Sequence, residues 1–281
     1  MATTSHSTTT LLSFSQWLDN YLLQRGQAYV NTTGRFYYQA DSTLIGKVGY
    51  AAPFRSMVYD SGVSGALILE TVNGSLGTLG RGQSGMTIDY PNGRVLFNSA
   101  VGTSALISGA YSFRDINVYF ANQSQERIVF TNKYYLNSRF NRSPTSIPAP
   151  NQFVTPAIFV SIVKEKNEPG AYGGLYNTRT SMAMNVLAET QSQLEGVMSL
   201  LTDADQISFP QLPASAYPLG SFGDCKSGYN YETVMAQYGS SDNLYTVYDI
   251  EASPMPDSVR ADEGLFVGLV ECDVVKMRTI H

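Results

Sequence analysis

The first hydrophobic pattern in the chain is helical and lies close to the N-terminus. Apolar residues recur there at the spacing of one helix face: Phe14, Trp17, Leu18, Tyr21 and Leu22. Ser13 and Gln16 have the spacing of a capping box, Leu12 and Trp17 that of a hydrophobic staple, and Gly26 suits the end of the helix. A helix of about three turns is marginal alone in water, so we expect this stripe to pack on the chain's own core in preference to a partner chain.

Residues 35–140 show short apolar runs separated by turn residues, which is the pattern of antiparallel strands. Met86–Tyr90 and Arg94–Phe97 flank Pro91–Gly93, a short turn that contains glycine and predicts a hairpin. Three further strands are predicted at Ala66–Val72, which precedes an Asn73–Gly74 turn, at Ile116–Phe120 and at Arg127–Phe130. The spacing predicts an antiparallel sandwich or barrel.

The second half of the chain mixes strands with a helix. Ala157–Val163 and Ser181–Leu187 predict two strands, and Leu265–Val275 predicts a long closing strand. Thr190 and Gln193 form a second capping box, before apolar residues at helical spacing. With the irregular stretch that follows this helix, the order predicts an α+β domain.

The chain is therefore expected to have a β-rich α+β fold, with an N-terminal helix and antiparallel β sandwich or barrel followed by an α+β domain. Its 281 residues agree with about two domains. We place a helical and β-rich domain at residues 1–142, a Pro-rich linker at 143–156 and an α+β domain at 157–281. The repeated prolines of residues 144–150 favour an extended connector.

Charge divides the chain at the same place. The first 142 residues hold eleven basic and seven acidic side chains, a net +4, whereas the remainder hold seven and sixteen, a net −9. Nine of the eleven basic residues in the first half are Arg, which suits interfaces better than Lys does. With a pI near 5.0 we expect no sequence-specific binding of nucleic acid. An acidic surface would instead let DNA pass without adhering.

Composition excludes several kinds of site. The chain has two histidines, His6 and His281, so a mechanism that needs a positioned internal histidine is not expected. Cys225 and Cys272 are too few for a disulfide framework, and we expect two free buried thiols. The same counts argue against a structural zinc site.

A G-x-G-x-x-G match at Gly80–Gly85 is interpreted as a flexible loop. Dinucleotide binding needs a strand before the glycines and a helix after them, whereas a strand is predicted to follow here.

Three short matches have the form of penicillin-binding motifs: Ser161–Lys164, Lys226–Gly228 and Ser241–Asn243. Their order in the chain is wrong for that class. Ser161 also lies in a strand-like run, whereas the nucleophile requires a helix N-terminus. We therefore assign no catalytic residue to them.

Paired carboxylates occur at Asp203/Asp205, Asp262/Glu263 and Glu271/Asp273. The last pair would share one face of a strand, because side chains alternate with period two. A solvated face explains these pairs as well as acid–base chemistry does, so the sequence predicts no catalytic, metal-binding or cofactor-binding residue, and no cofactor.

Residues 1–10 have neither a basic segment nor an apolar core of the kind found in signal peptides. No run of residues is apolar for long enough to predict a membrane helix. We expect a soluble protein made in a cytoplasm, without a membrane partner.

Three segments resemble virion structural proteins of tailed bacteriophages: Tyr50–Arg55, Val58–Ala66 and Gly85–Phe97. They are similar to structural and neck proteins of contractile-tailed phages. The strand–strand–helix–strand order of residues 157–275 is similar in outline to tail-terminator or neck proteins.

The resemblance implies a non-enzymatic virion subunit that forms a ring at the head–tail junction, collar or upper tail, assembled in the host cytoplasm. It implies a six- or twelve-fold homo-oligomer in contact with other neck, tail or portal-complex proteins, and it carries no catalytic residue. Two alternatives stay open. One is a baseplate or fibre protein that binds a host receptor or glycan through loops such as Gly170–Tyr176; the other is an enzyme of unrecognised type.

Overall fold

The computed structural model describes most of the chain. The described residues are 6–25, 28–74, 77–99, 106–121, 123–132, 134–135, 153–171, 175–220, 223–225, 228–255 and 264–279. Within them lie three helices: α1 (His6–Gln24), α2 (Gln191–Thr202) and α3 (Tyr231–Tyr238). The strands are β1 (Tyr29–Gln39), β2 (Val48–Ala51), β3 (Thr71–Gly74), β4 (Gly77–Gly80), β5 (Thr87–Asp89), β6 (Arg94–Phe97), β7 (Ile107–Arg114), β8 (Asn117–Phe120), β9 (Tyr134–Tyr135), β10 (Phe153–Val154), β11 (Ala157–Ala171), β12 (Leu175–Ala188), β13 (Ser208–Pro210), β14 (Leu244–Pro254) and β15 (Phe266–Thr279).

The strands form two curled sheets, each shaped as a half-barrel, and a short β9–β10 pair. The first sheet has the order β4-β3-β7-β1-β2-β6-β5 and is antiparallel, and the second has the order β13-β14-β15-β12-β11-β8. In the second sheet, β8 pairs parallel to β11 and the other neighbours are antiparallel. The predicted β-rich α+β fold with an N-terminal helix is confirmed.

Helix α1 is longer than its hydrophobic stripe predicts, because it begins seven residues before Ser13. The predicted capping box is therefore wrong. Ser13 is buried inside the helix, where its hydroxyl donates to the Thr9 carbonyl at 2.7 Å and accepts the Leu212 N–H at 2.8 Å. Gly26 lies outside the described residues. The expected intramolecular packing is confirmed, since the apolar stripe belongs to the main hydrophobic core.

Helix α1 contacts both sheets. Trp17 stacks on Phe209 of β13, with ring centroids 4.9 Å apart. On another side of the helix, Asp19 accepts from Arg114 of β7 at 2.7 Å, and Asn20 donates to Asp60 at 3.0 Å. The helix thereby joins the two sheets through one continuous core.

The second capping box lies where the sequence predicts it. Thr190 accepts the N–H of Gln193 through its hydroxyl at 3.1 Å. The Gln193 side chain accepts the N–H of Glu189 at 3.2 Å, one residue earlier than in the standard box. These hydrogen bonds fix the first turn of α2, and the apolar face of the helix packs on β12, β14 and β15.

The predicted β5–β6 hairpin is confirmed, and buried charge supports its turn. Arg94 donates to Asp89 at 2.7 Å and 3.0 Å and to Asp41 at 2.6 Å. The other oxygen of Asp89 accepts from the backbone N–H of Asn92 at 3.2 Å. Both ends of the hairpin are thus held by one buried carboxylate.

One predicted strand is wrong, and another is confirmed only at its end. Arg127–Phe130 falls in a π-helical turn, Arg127–Thr131, because a four-residue apolar run does not distinguish helix from strand. Ala66–Glu70 forms no ladder: the N–H of Leu67 donates to the Ser112 hydroxyl at 2.6 Å, where a strand partner would offer a carbonyl. Strand β3 instead begins at Thr71 and includes the expected turn residues Asn73–Gly74.

The structure does not test the division into two domains. Strand β8, which precedes the proposed boundary, belongs to the second sheet through its pairing with β11. The prolines of residues 144–150 lie outside the described residues. The boundary at residues 143–156 stays a prediction.

Gly93 and Gly46 provide a matched test of the hairpin turn. Both have positive φ, +61° and +71°, but a Cβ at Gly93 would lie 2.5 Å from the Phe54 carbonyl oxygen, whereas one at Gly46 meets nothing within 4 Å. We expect Gly46→Ala to lower the free energy of unfolding by about 1 kcal/mol and Gly93→Ala by about 2–4 kcal/mol. Urea denaturation measures both, and equal losses would contradict the close packing of this turn.

Candidate functional site

The glycine motif has no dinucleotide-binding context. Gly80 ends β4, a short 3₁₀ turn spans Gln83–Gly85, and β5 follows at Thr87. The predicted strand after the glycines is therefore confirmed, and no helix N-terminus faces them.

The penicillin-type motifs do not form a catalytic group within the described residues. Ser161 lies on β11, as expected, and donates to the Ala183 carbonyl at 3.3 Å. Asn243 donates to the carbonyls of Tyr238 and Gln211 at 2.9 Å and 3.1 Å, which is a structural role. Lys226 lies outside the described residues.

The three carboxylate pairs have different surroundings. Asp203 forms an exposed ion pair with Arg25 at 3.0 Å. Asp262 and Glu263 lie outside the described residues. Glu271 and Asp273 do share one face of β15, as predicted, and this face belongs to an exposed region of the second sheet.

Strands β11, β12, β14 and β15 extend well beyond the part of the sheet that is covered on both sides. Their inward side chains are buried: Thr178, Thr180, Met182, Cys272, Val274 and Lys276. The other side of the sheet is covered at one end, where Phe159 and Leu187 pack in a second small core with Ile128. Farther along the same strands, no described element covers that side.

We call this uncovered region the outer face. It consists of Val163, Lys164, Lys166, Glu168, Arg179, Ser181, Tyr248, Asp249, Glu251, Glu271, Asp273, Val275 and Met277. Apolar side chains are prominent in it, since Val163 and Met277 are each 58% exposed and Tyr248 is 39% exposed. Charged residues surround them.

Two β-bulges shape the outer face. The register of β11 shifts between Ile162 and Lys164, and that of β14 shifts between Tyr248 and Glu251. Asp249 in the second bulge has φ +54°. The bulges border a depression of about 270 Å³ whose lining includes Val163, Lys164 and four carboxylates. Bulges redirect side chains, which explains why Val163 points away from the core.

The charges of the outer face are unevenly paired. Asp273 accepts from Arg179 at 2.8 Å and from Ser181 at 2.6 Å, and Arg179 also reaches Asp249 at 3.4 Å. Glu251 and Glu271 lie directly opposite each other on neighbouring strands, an arrangement of like charges that costs stability. The outer face carries three basic and five acidic side chains, a net −2.

At one edge of the face, Lys166 pairs with Glu168 at 2.9 Å, and this hydrogen bond and charge lower the pKa of Glu168. The pair is exposed, so it contributes little to stability. Lys164, on the same strand, lines the depression together with the opposed glutamates.

No metal centre is evident in the part of the chain that the structure describes, where no three His, Cys, Asp or Glu residues are grouped to hold an ion. Among the same residues, no helix is long and apolar enough to cross a membrane.

The chain matches no protein-family model, and no curated protein is significantly similar to it.

Only part of this site was visible in the sequence. The shared face of Glu271 and Asp273 followed from period-two alternation. The opposed Glu251 was missed, because β14 lies in a stretch interpreted as irregular. Its alternating buried residues Tyr245 and Val247 were the available signal.

Both cysteines are free and buried, as expected. Burial raises the pKa of the Cys272 thiol to about 12, with the neighbouring Asp273 charge as a smaller cause, and burial also raises the pKa of Cys225. Since thiolate is the reactive form, we expect negligible reaction of the native chain with Ellman's reagent at pH 8 and two thiols per chain in guanidinium. Cys272→Ser should reduce that count to one. Rapid reaction of native protein would contradict the buried placement.

Proposed function

We propose that the chain is a non-enzymatic structural subunit of a phage particle that forms a ring at the head–tail junction, as neck, collar or tail terminator. The resemblance of residues 50–97 to virion proteins supplies the phage context. The observation that carries the proposal is the outer face, a large sheet surface with exposed apolar side chains and an excess of negative charge.

An interface explains this combination better than a solvated face does. Val163, Tyr248 and Met277 add apolar area whose burial would favour association, while the polar surroundings would fix its register. The opposed Glu251 and Glu271 repel each other in the free chain. A basic partner surface would relieve this repulsion.

The partner that we propose is the basic half of another copy. Residues 1–142 carry a net +4, and a contact between two different surfaces of the same chain is heterologous. Repeated around an axis, such a contact closes into a ring, for which we propose six- or twelve-fold symmetry. The same ring would contact other neck, tail or portal-complex proteins, and its acidic half would let DNA pass without binding it.

Replacement of both opposed glutamates by glutamine tests their effect on assembly separately from their effect on folding. We expect Glu251→Gln/Glu271→Gln to keep or raise the free energy of unfolding, by about 0.2–1 kcal/mol, because like-charge repulsion is removed. We expect the same variant to weaken ring formation in native mass spectrometry, since the attraction to a basic surface is lost. Assembly of the unmodified chain should also weaken with salt.

Two double charge-reversal variants, one on the outer face and one away from it, provide the control. Glu251→Lys/Glu271→Lys and Glu195→Lys/Glu232→Lys change the net charge equally, but Glu195 and Glu232 lie on α2 and α3, away from the outer face. Only the first pair should abolish rings. A chain that stays monomeric at high concentration, or equal effects of both pairs, would refute the proposal. A stable trimer would favour the alternative, a baseplate or fibre protein that binds a receptor or glycan.

A further inference from the structure

Much of the positive charge in the first half of the chain is neutralised or buried inside the fold. Arg94 is buried between two carboxylates, at 2.6 Å and 2.7 Å. Arg114 is also buried and pairs with Asp19 at 2.7 Å, and Arg55 is only 6% exposed. The surface of this half therefore presents less positive charge to a partner than its net +4 indicates.

The basic side chains nearer the surface differ in whether they have an acidic partner. Arg25 and Arg81 form ion pairs at 3.0 Å and 3.7 Å. Lys47 donates to two neighbouring side chains at 3.2 Å. Arg35 and Arg127 are exposed, and neither forms an ion pair with a described residue. Three more basic residues lie outside the described residues: Lys133, Arg139 and Arg142.

Arg35 lies on the side of the first sheet that faces away from the core. On β1, Phe36 is buried in the core, so Arg35 points to the opposite side. Ser108, Asn73 and Thr78 continue its row across β7, β3 and β4. We call this surface the Arg35 face. Its members, all exposed, are Thr33, Arg35, Thr71, Asn73, Thr78, Ser108 and Ala110.

Arg35 is the one charged member of the Arg35 face. Its guanidinium lies 5.3 Å from the ring centroid of Tyr37, two residues farther along the same side of β1. Glu70, which precedes Thr71 at the border of the face, is already paired with Arg81 at 3.7 Å. The positive charge of Arg35 therefore has no carboxylate partner among the described residues.

The outer face has the complementary charge. Glu251 and Glu271 lie directly opposite each other on β14 and β15, and neither forms an ion pair with a described residue. Lys164 lines the same depression but forms no ion pair with either glutamate. A guanidinium has several N–H donors in one plane, so a single arginine can bond to two neighbouring carboxylates.

The two faces also differ in the size of their side chains. Val163, Tyr248 and Met277 project from the outer face. On the Arg35 face, threonine, serine and alanine side chains surround the arginine. Sheets that pack face to face lie about 10 Å apart, so large side chains on one sheet require short ones on the other. The Arg35 face meets that requirement.

We propose that the Arg35 face of one copy docks on the outer face of the next copy, with Arg35 between Glu251 and Glu271. This inference rests on the proposed ring function and names the basic surface that the ring would use. The contact joins two different surfaces and every copy carries both, so it is heterologous and repeats around the ring.

Charge reversal at Arg35 tests the contact in the full-length chain. Native mass spectrometry over a concentration series measures the chain concentration at which half of the chains are in rings. We expect Arg35→Glu to raise this concentration about tenfold, because a carboxylate would then face the two glutamates. Arg35→Lys keeps the charge and should raise it about twofold.

Arg127→Glu is the matched control. Arg127 is an exposed arginine of the same half that forms no ion pair with a described residue, but it lies in the π-helical turn and not on the Arg35 face. Its reversal changes the net charge equally and should leave ring formation unchanged. Thermal unfolding checks that each variant is folded.

A charge exchange between the two faces provides a stricter test. Neither Arg35→Glu nor Glu251→Lys/Glu271→Lys should form rings alone at the concentration where the unmodified chain does. An equal mixture of the two should form rings, because every contact then joins opposite charges. Their masses should show both variants in equal number. A single chain with all three substitutions should form rings as well.

The outcomes separate this contact from the proposed function. Rings of Arg35→Glu as stable as those of the unmodified chain, together with loss of rings in Glu251→Lys/Glu271→Lys, would overturn the contact and leave the ring function standing. Failure of both the mixture and the triple variant to form rings would also overturn the contact. Absence of rings from the unmodified chain would overturn both proposals.

Discussion

The packing of α1 between the two sheets is the contact on which the rest of the structure depends. One side of the helix places Trp17 against Phe209, and another side places Asp19 against Arg114. Aromatic stacking thus holds the second sheet, while a buried ion pair holds the first. Since removing one partner of a buried pair leaves an uncompensated charge, this attachment is specific as well as stabilising.

The same arrangement explains where the outer face lies. Helix α1 contacts β8, β11 and β13, and helix α2 contacts β12, β14 and β15, so together they cover the inner side of the second sheet. The long strands therefore bury Cys272 and Val274 and turn Glu271 and Asp273 outward. The outer face is the surface that neither helix covers.

Buried and exposed charges are balanced differently in this fold. Between α1 and β7, Arg114 donates to Asp19 at 2.7 Å, so each buried charge has a direct partner. On the outer face, Glu251 lies opposite Glu271, and Lys164 lines the same depression. Acidic side chains outnumber basic ones there, five to three, and this excess is the charge that the proposed contact with a second copy would use.

The sequence by itself determined the local elements whose signals are local: the Thr190 cap, the Pro91–Gly93 hairpin and the buried strands near residues 157, 181 and 265. Tertiary structure decided the features that depend on residues distant in the sequence. Ser13 has the sequence pattern of a helix cap. In the structure its hydroxyl accepts a hydrogen bond from the N–H of Leu212, 199 residues away, and the helix continues through Ser13. The pairing of β8 with β11 and the opposition of Glu251 and Glu271 depend on register and on contacts between distant segments. Periodicity along one strand contains no information on which residue another strand places beside it.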